Sequence, residues 1–269
     1  MAHGGPKDVD ISKAQEARLY DYWLGGKDSF APDRALGDMI KERIPTISEM
    51  ARANRAFLVR SVRYLAGEAG ISQFLDIGTG IPTAPNVHQV AQGIHPTARV
   101  LYLDKDPLVL AKARALMAST KDGRTAFVLG DFSDIEQLLD GPELRKTLDF
   151  GTPMAVLLIA VLVYLDGELG VDPYPLVRRA VDALPSGSYV ALSHPTADFD
   201  PAAMAGVRGI AERAGISFVP RSKDEVAAFL DGLELVAPGL VPVLSWRPDG
   251  SAPLDPHAAY YWAGVGRKP

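Results

Sequence analysis

Short apolar runs alternate with amphipathic segments from residue 73 onward. Runs of the length of a strand occupy residues 73–77, 98–104, 125–129, 156–161 and 188–193. Segments with apolar residues at helical spacing follow them, at residues 86–92, 107–119, 133–139, 175–184 and 202–214. A charged connection without a predicted element spans residues 140–151. This alternation predicts βα units, and therefore a mostly parallel sheet with helices on both faces.

The end of the chain has a different pattern. A helix is predicted at residues 223–230, with Ser222 as its N-cap. Three strands with no helix between them are then predicted, at residues 233–236, 241–246 and 258–264. Because no crossover helix separates these last strands, we expect an antiparallel hairpin at one edge of the sheet.

The part of the chain before residue 73 is predicted to be helical. The predicted segments occupy residues 13–24, 32–42 and 47–66. Ser12 is a candidate cap for the first of them, and Gly25-Gly26 end it. We therefore expect a helical N-terminal extension over residues 1–70, packed on one α/β domain over residues 71–269.

The composition is that of a globular protein and indicates neither a nucleic-acid nor a membrane partner. Of the 269 residues, 47% are hydrophobic and 23% charged, and the net charge is −5. Residues 1–10 lack the apolar stretch of a secretory signal. The longest apolar run, residues 154–165, is shorter than the roughly 20 residues of a membrane-spanning helix. We expect a cytoplasmic protein, and the oligomeric state is not indicated.

The chain contains no cysteine. Disulfides, thiolate metal sites and a cysteine nucleophile are therefore excluded. No group of His, Asp and Glu residues has the spacing of metal ligands, so no metal site is expected either.

The turn after the first predicted strand is the central motif of the sequence. Phe74-Leu75-Asp76-Ile77 is followed directly by Gly78-Thr79-Gly80. Two glycines around one threonine allow a tight turn in which the backbone approaches a ligand closely. Pro82 suits the first turn of a helix. Strand, acid, glycine turn and helix together predict a nucleotide-type site, although an ordinary βα turn can also carry two glycines.

Acidic residues end three successive predicted strands: Asp76, Asp104 and Asp131. The carboxyl ends of parallel strands share one edge of the sheet, so we expect these side chains to converge. Asp104 stands where an acid accepts hydrogen bonds from both ribose hydroxyls. Asp131 with Phe132 offers a carboxylate and an apolar face to an adenine. Taken singly, each acid can also be a solvated loop residue or a helix cap.

The same turn favours S-adenosylmethionine over a dinucleotide as the cofactor. The dinucleotide fingerprint needs a third glycine at position 83, where this chain has Thr83. An acid just before the turn is also badly placed for a pyrophosphate at a helix N-terminus. S-adenosylmethionine has no phosphate and carries an ammonium and a sulfonium, which suit the carboxylate of Asp76.

Further stretches carry a resemblance to a known family. They are residues 17–28 (ARLYDYWLGGKD), 54–58 (NRAFL), 85–88 (PNVH), 238–240 (PGL) and 246–248 (WRP). With the glycine turn and the three acids, the chain resembles the class I S-adenosylmethionine-dependent methyltransferases. More narrowly, it resembles a bacterial S-adenosyl methyltransferase family formerly labelled a domain of unknown function.

The resemblance implies an α/β fold and a cofactor. The implied fold is a Rossmann-like doubly wound seven-stranded sheet, mostly parallel with a C-terminal antiparallel β-hairpin, plus an N-terminal helical extension. The implied cofactor is S-adenosylmethionine, and no methyl acceptor is implied. Val163 stands where relatives are expected to have a histidine, which puts an acid–base role of that position in doubt.

In the light of this resemblance, the first helix with Gly25-Gly26-Lys27-Asp28 is a candidate lid. Lys27 or Arg18 is expected to meet the carboxylate of the cofactor's methionine tail, whereas Tyr20 and Trp23 can alternatively be packing residues. The residues expected to bind the cofactor are Asp76, Gly78, Thr79, Gly80, Asp104, Lys105, Asp131, Phe132, Ala160, Tyr20, Tyr22 and Lys27.

Two histidines are candidate general bases. Methyl transfer from a sulfonium needs positioning and water exclusion, and it needs a base only if the acceptor must lose a proton. His194 ends the fifth predicted strand and is the first candidate, and His88 is the second. A lone histidine is also often structural.

The sequence therefore predicts an S-adenosylmethionine-dependent methyltransferase acting on an unidentified small molecule. One alternative is a non-catalytic S-adenosylmethionine-binding or sensor protein. A nicotinamide-dependent oxidoreductase is the other, and Thr83 and the terminal strands count against it. The sequence does not indicate the acceptor or which of O, N and C is methylated.

Overall fold

Strand and helix alternate through the chain as the sequence predicts. The computed structural model describes residues 10–250 and 254–269. Its helices are α1 (Glu16–Trp23), α2 (Ala31–Arg43), α3 (Ile47–Gly67), α4 (Val87–Ile94), α5 (Pro107–Leu116), α6 (Ile135–Leu139), α7 (Pro142–Thr147), α8 (Pro173–Asp182), α9 (Pro201–Arg213) and α10 (Lys223–Ala228). Its strands are β1 (Gln73–Ile77), β2 (Arg99–Asp104), β3 (Arg124–Leu129), β4 (Ala155–Ile159), β5 (Tyr189–Pro195), β6 (Glu234–Leu235), β7 (Val241–Pro242) and β8 (Tyr261–Arg267). Turns of 3-10 helix lie at Phe132–Asp134, Leu162–Tyr164 and Val243–Ser245.

The strands form one sheet in the order β3-β2-β1-β4-β5-β8-β6, with β7 also paired to β8. Strands β1 to β5 are mutually parallel, and β8 is antiparallel to β5. The resemblance implied seven strands, whereas the described residues form eight. The additional strand arises because β6 and β7, two residues each, pair with different parts of β8. The Rossmann-like class with an antiparallel C-terminal end is confirmed.

The two faces of the sheet carry separate hydrophobic cores, as the alternation of side chains along a strand requires. Phe74 of β1 and Leu157 of β4 lie in the core shared with α3, α4 and α9. Leu75 and Leu158, their neighbours along the chain, lie in the core shared with α6, α7 and α8. The N-terminal helices add their apolar side chains to the first of these cores, so α1 to α3 pack directly over one face of the sheet.

Three local predictions about helices are wrong. Pro82 does not begin a helix: residues 81–86 contain none, because Pro85 disfavours helical backbone at the residue before it, and α4 begins at Val87, next to the predicted start at residue 86. Ser12 does not cap α1, since its hydroxyl donates to Asp10 Oδ1 at 2.6 Å, and the N-cap is Gln15. The connection at residues 140–151 contains α7, which starts at a proline suited to the first helical position.

The predicted cap of α10 is confirmed. Ser222 is its N-cap, and the Ser222 backbone N–H donates to Glu225 Oε2 at 2.7 Å in a reciprocal capping box. Over residues 10–250 and 254–269, no helix combines the length and the apolar character needed to cross a membrane. The expectation for a secretory signal concerns residues 1–10, of which residues 1–9 lie outside the described part.

Candidate functional site

A cleft opens at the carboxyl ends of β1, β2, β3 and β4, beside the point where the strand order reverses. Ligands bind at such switch points in open α/β sheets. The cleft has an empty volume of ≈ 1040 Å³, counted out into its open mouth. Of the residues expected to bind a cofactor, those that line it are Tyr20, Asp76, Gly78, Thr79, Gly80, Asp104, Lys105, Asp131, Phe132 and Ala160.

The glycine turn forms the floor of the cleft and is fixed to the neighbouring strand. The Gly78 N–H donates to the Leu103 carbonyl at 2.8 Å. Gly78 has φ +70°, and a side chain there would overlap Val161. Gly80 has φ +67°, but no atom lies within 4 Å of the position that its side chain would occupy. Both positions need the conformational freedom of glycine, and Gly80 leaves space in front of the backbone.

Asp104 is held in one orientation by backbone donors. The Gly80 N–H donates to Asp104 Oδ2 at 2.8 Å, and the Asp106 N–H donates to Oδ1 at 2.9 Å. Burial raises the pKa of the Asp104 carboxyl, and these two hydrogen bonds oppose that rise. Each carboxylate oxygen can accept further hydrogen bonds. The structure therefore presents a fixed pair of acceptor oxygens at the end of β2.

Asp76 is buried without a hydrogen-bond donor from the described residues. Its side chain is 4% exposed and lines the cleft. Burial raises the pKa of Asp76 to about 7, a rise that the nearby charge of Arg55 opposes and that of Asp104 reinforces. A buried carboxylate is costly unless a cation or donor compensates it. The site therefore favours a ligand with a positive charge at this position.

Arg55 is a cleft residue to which the sequence analysis assigned no role. Its Nη2 donates to the carbonyls of Thr83 at 2.6 Å and Pro85 at 3.0 Å. Among the described residues no carboxylate forms an ion pair with it. The sequence did contain a feature that points to Arg55, because this residue lies in the stretch NRAFL that carried the resemblance. The tertiary structure adds its position at the Asp76 end of the cleft.

The end of β3 supplies an acid beside an apolar surface. Asp131 Oδ1 accepts hydrogen bonds from the Ser133 N–H at 2.9 Å and the Ser133 hydroxyl at 2.8 Å, which caps a 3-10 turn. Phe132 follows it and is almost fully buried in the cleft wall. The acid also has the structural role of a cap, and the predicted pairing of carboxylate and apolar face is present.

Helix α1 forms one side of the cleft. One ion pair joins it to the residue after β2, and a second joins the loop after α1 to helix α5. Glu16 and Tyr20 of α1 both line the cleft. Lys105 Nζ lies 3.2 Å from Glu16 Oε1, and Lys112 Nζ lies 2.6 Å from Asp28 Oδ1. The N-terminal segment thus forms part of the wall of the cleft.

Contrary to the prediction, two residues of α1 do not line the cleft. Tyr22 does not line it, because its hydroxyl donates to Asp38 Oδ1 at 2.7 Å on the outside of the helix pair. Arg18 is 1% exposed and donates through Nε to Asp33 Oδ2 at 3.0 Å. Asp33 also accepts from the N–H of Phe30 at 2.7 Å, so this buried pair holds α1 against α2.

Lys27 is also wrongly predicted as a cleft residue. It is exposed and lies outside the cleft wall. The cause is the course of the loop around Asp21, whose Oδ2 accepts from the Asp28 N–H at 3.0 Å. A side chain at Gly26 would overlap the carboxylate of Asp21, so glycine lets the loop fold back on α1. The Gly-Gly-Lys-Asp stretch is thus a structural loop in which Lys27 is exposed and does not line the cleft.

His194, the first candidate base, is a buried structural residue. It is 0% exposed and does not line the cleft. Its Nδ1 lies 2.8 Å from the Pro195 carbonyl, and its Nε2 lies 2.9 Å from Arg221 Nη1. Burial lowers the pKa of His194 to about 3. The ring is therefore neutral, with Nδ1–H donating to the carbonyl and Nε2 accepting from the guanidinium.

His88, the second candidate, is excluded from the cleft wall as well. Its Nδ1 lies 2.8 Å from the Tyr102 hydroxyl, and both residues are buried. Burial lowers the pKa of His88. Neither of the two histidines, the candidate bases from the sequence, lines the cleft.

Arg221 connects His194 to the cleft through the turn after β4. Its guanidinium donates to the carbonyls of Leu162 at 3.0 Å and Leu165 at 2.9 Å, which lie on either side of Tyr164. Val163, at the position where a histidine was expected, is buried, and its carbonyl accepts from the Val219 N–H at 2.8 Å. These contacts fix the turn that places Tyr164 in the cleft wall.

Comparison with known proteins identifies relatives over nearly the whole chain. A protein-family model described as S-adenosyl methyltransferase matches residues 2–269. No curated protein matches the sequence.

Two solved structures share both sequence and fold with the chain. A crystal structure of a DUF574 family protein from Streptomyces avermitilis MA-4680 is 43% identical, with coverage of 97% of this chain and 99% of that one and a TM-score of 0.93. A crystal structure of a protein from Thermobifida fusca YX, described as a candidate methyltransferase, is 42% identical, covers 96% of each chain and has a TM-score of 0.89.

A more distant structure shares the fold alone. The plantazolicin methyltransferase BpumL, crystallised with a triazolic desmethylPZN analog and SAH, is 12% identical and has a TM-score of 0.52. The alignment covers 94% of this chain and 96% of that one.

Proposed function

We propose that this chain, which belongs to the S-adenosyl methyltransferase family, transfers a methyl group from S-adenosylmethionine to a small-molecule acceptor. S-adenosylmethionine is the cofactor of the family. The observation that carries the proposal is the burial of the Asp76 carboxylate in β1, directly before the glycine turn. No described residue donates a hydrogen bond to it. A cofactor with an ammonium and a sulfonium compensates such a charge, whereas a pyrophosphate does not.

For each part of this cofactor, the cleft wall has a residue of suitable charge or polarity. We assign Asp104, with its fixed acceptor oxygens, to the two ribose hydroxyls. Asp131 and Phe132 are assigned to the adenine. Asp76 is assigned to the ammonium of the methionine tail, and Arg55 to its carboxylate, because these opposite charges lie close together in the cleft. Lys27 and Arg18, which the sequence predicted to meet this carboxylate, do not line the cleft.

The residues of the chain contribute positioning and exclusion of water. When bound, S-adenosylmethionine supplies an electrophilic methyl group on its sulfonium. Tyr20 of α1 and Tyr164 of the turn after β4 line the cleft, and Glu16 and Lys105, which also line it, form an ion pair. No histidine lines the cleft among the described residues. The proposal therefore assigns no histidine base, and orientation of the acceptor supplies most of the rate enhancement.

The charge of the protein supports a small molecule as the acceptor. The net charge is −5, and the sequence has no run of Lys and Arg that would attract a nucleic-acid backbone. The acceptor atom, O, N or C, is not assigned.

Calorimetric titration with S-adenosylmethionine, S-adenosylhomocysteine and NAD tests the cofactor assignment. We expect both sulfur ligands to bind and NAD not to bind. Binding of NAD alone would contradict the proposal and favour an oxidoreductase. Transfer of a labelled methyl group to small-molecule extracts then tests catalysis. Binding of both sulfur ligands without transfer to any extract would favour the non-catalytic alternative.

A further inference from the structure

A second cavity adjoins the cofactor cleft. Its empty volume is ≈ 610 Å³, counted out into the open space at its mouth, and it lies between helices α1 to α3 on one side and α9 and the end of β5 on the other. Tyr20, Ala160 and Tyr164 line both this cavity and the cleft. The two spaces therefore share a wall, and a molecule in the second cavity would lie next to the cofactor site.

The walls of this second cavity are apolar. Aliphatic and aromatic side chains from four helices form most of them, including those of Ile44, Met50, Met204 and Val207. None of the described residues that line it is charged at neutral pH. A charged group placed there would lose its hydration without gaining a partner. The cavity therefore selects against charged molecules.

Two phenol groups in these walls lack hydrogen-bond partners. The hydroxyls of Tyr164 and Tyr261 form no hydrogen bond with any described residue. The Tyr261 side chain is buried, whereas Tyr164, at the wall shared with the cleft, is half-buried. The Tyr20 hydroxyl, in contrast, donates to the Ala51 carbonyl at 3.0 Å and accepts from Asn54 Nδ2 at 3.0 Å. Burial raises the pKa of both Tyr164 and Tyr261 well above the ordinary value, so both remain protonated donors.

Unpaired hydroxyls in the wall of an apolar cavity are available to hydrogen-bond a ligand or a water bound there. Tyr164 lines both the second cavity and the cleft. A polar group of a ligand bonded to its hydroxyl would therefore lie near the wall that the two spaces share. We propose that the second cavity holds the methyl acceptor, and that the acceptor is an uncharged, largely apolar molecule with a hydroxyl or carbonyl group bonded to Tyr164 or Tyr261. This inference rests on the proposed function and specifies its substrate class.

A pair of small probes with the same ring system tests the proposed selection against charge. The probes are 2-naphthol, which is neutral and has one hydroxyl, and naphthalene-2-carboxylate, which is charged. Binding is measured by calorimetry on the full chain saturated with S-adenosylhomocysteine. We expect 2-naphthol to bind and the carboxylate to bind at least about tenfold more weakly. Failure of 2-naphthol to bind, or equal binding of both probes, would overturn the proposal.

Two substitutions test the location. Ala211→Phe adds a ring to the cavity wall, and we expect about tenfold weaker binding of 2-naphthol with unchanged affinity for S-adenosylhomocysteine. Tyr261→Phe keeps the volume, removes a hydroxyl and should weaken 2-naphthol binding about three- to tenfold. Tyr174→Phe is the matched control, because its hydroxyl donates to the Glu225 carbonyl away from this cavity.

The outcomes separate the two proposals. If the unmodified protein does not bind S-adenosylhomocysteine, the proposed function fails, and the acceptor assignment fails with it. If S-adenosylhomocysteine binds but Tyr261→Phe binds 2-naphthol as tightly as the Tyr174→Phe control, only the acceptor assignment is overturned. This comparison holds even if Ala211→Phe does not fold.

Discussion

His194 Nε2 lies 2.9 Å from Arg221 Nη1, and both side chains are buried. Through this contact the end of β5 supports the guanidinium that holds the carbonyls on either side of Tyr164. A histidine at the active edge of a sheet is thus a positioning residue for the turn after β4. Its neutrality is required, because a protonated ring cannot accept from a guanidinium.

We predict that His194 makes the protein less stable in acid. Its folded pKa of about 3 lies below the unfolded value of 6.5, so between these values the unfolded state binds a proton that the folded state does not. Stability therefore rises with pH in this window and is lost as pH falls below about 6.5. Between pH 7 and pH 5, urea unfolding should show that the unmodified protein loses about 2 kcal/mol more than His194→Gln.

The control for this prediction is His257→Gln, at an exposed histidine. That variant should keep the pH dependence of the unmodified protein. An unchanged pH dependence in His194→Gln as well would contradict the assignment of His194 as a neutral buried group.

Asp76 should make cofactor affinity dependent on pH. With a pKa of about 7 in the free protein, Asp76 is increasingly protonated below neutrality and then no longer attracts an ammonium. We predict that S-adenosylhomocysteine binds about tenfold more weakly at pH 6 than at pH 7.5, and that Asp76→Asn binds weakly at both. Calorimetry at the two pH values measures this. A parallel pH dependence in Asp76→Asn would show that another group is responsible.

The same carboxylate should destabilise the ligand-free protein at high pH. Because the folded pKa of about 7 exceeds the unfolded value of 3.8, the folded state binds more protons between these values, and its stability falls as pH rises through them. Asp76→Asn should therefore be more stable than the unmodified protein at pH 8 by about 2–4 kcal/mol, and should have nearly equal stability at pH 4. Thermal unfolding at both pH values measures the difference. Equal melting temperatures at pH 8 would contradict the raised pKa.

Asp104→Ala should weaken binding of S-adenosylhomocysteine by about 1–3 kcal/mol, which corresponds to roughly five- to 150-fold. The reason is the loss of the two oriented acceptor oxygens at the end of β2. Calorimetry measures the affinity, and a thermal melt checks that the variant is folded. Asp122→Ala, at an exposed acid outside the cleft, is the matched control and should bind normally. If both variants bind alike, Asp104 does not contact the cofactor.

The Glu16–Lys105 pair should slow release of the cofactor. Both residues line the cleft, and their charged atoms lie 3.2 Å apart; the pair is partly exposed, so its contribution is about 0.2–1 kcal/mol. We predict that Glu16→Gln increases the dissociation rate of S-adenosylhomocysteine about two- to fivefold, and that high salt reduces the difference. Stopped-flow fluorescence measures the rate. Glu212→Gln, which breaks the Glu212–Arg208 pair on α9, should leave it unchanged.

Arg18 and Lys27 should differ sharply as alanine variants. Arg18→Ala leaves Asp33 buried without its partner and should lower stability by about 3–5 kcal/mol. Lys27→Ala removes an exposed side chain and should change neither stability nor affinity for S-adenosylhomocysteine. Urea unfolding and calorimetry measure both. A tenfold loss of affinity in Lys27→Ala would restore its predicted role in binding the methionine tail.

Apart from Tyr20 on α1, the predicted residues that line the cleft lie at strand ends or directly after them. Asp76, Asp104, Asp131 and the glycine turn converge because parallel strands align their carboxyl ends at one edge, whatever the detailed packing. The periodicity of the chain alone determined that arrangement, and the missing third glycine favoured S-adenosylmethionine. Thus the fold class and the cofactor followed from local patterns, and the cleft lies at the sheet edge where those patterns predicted a site.

The side chains on helices and loops were decided by tertiary structure. Tyr22 and Arg18 face Asp38 and Asp33, whose positions depend on how α1 packs against α2. His194 does not line the cleft and instead contacts Arg221, which is 27 residues away in the sequence. The apolar second cavity combines helices from both halves of the chain. Periodicity determines which elements form and where strand ends meet, but the rotation of each helix and the partners of its polar groups depend on packing between distant segments.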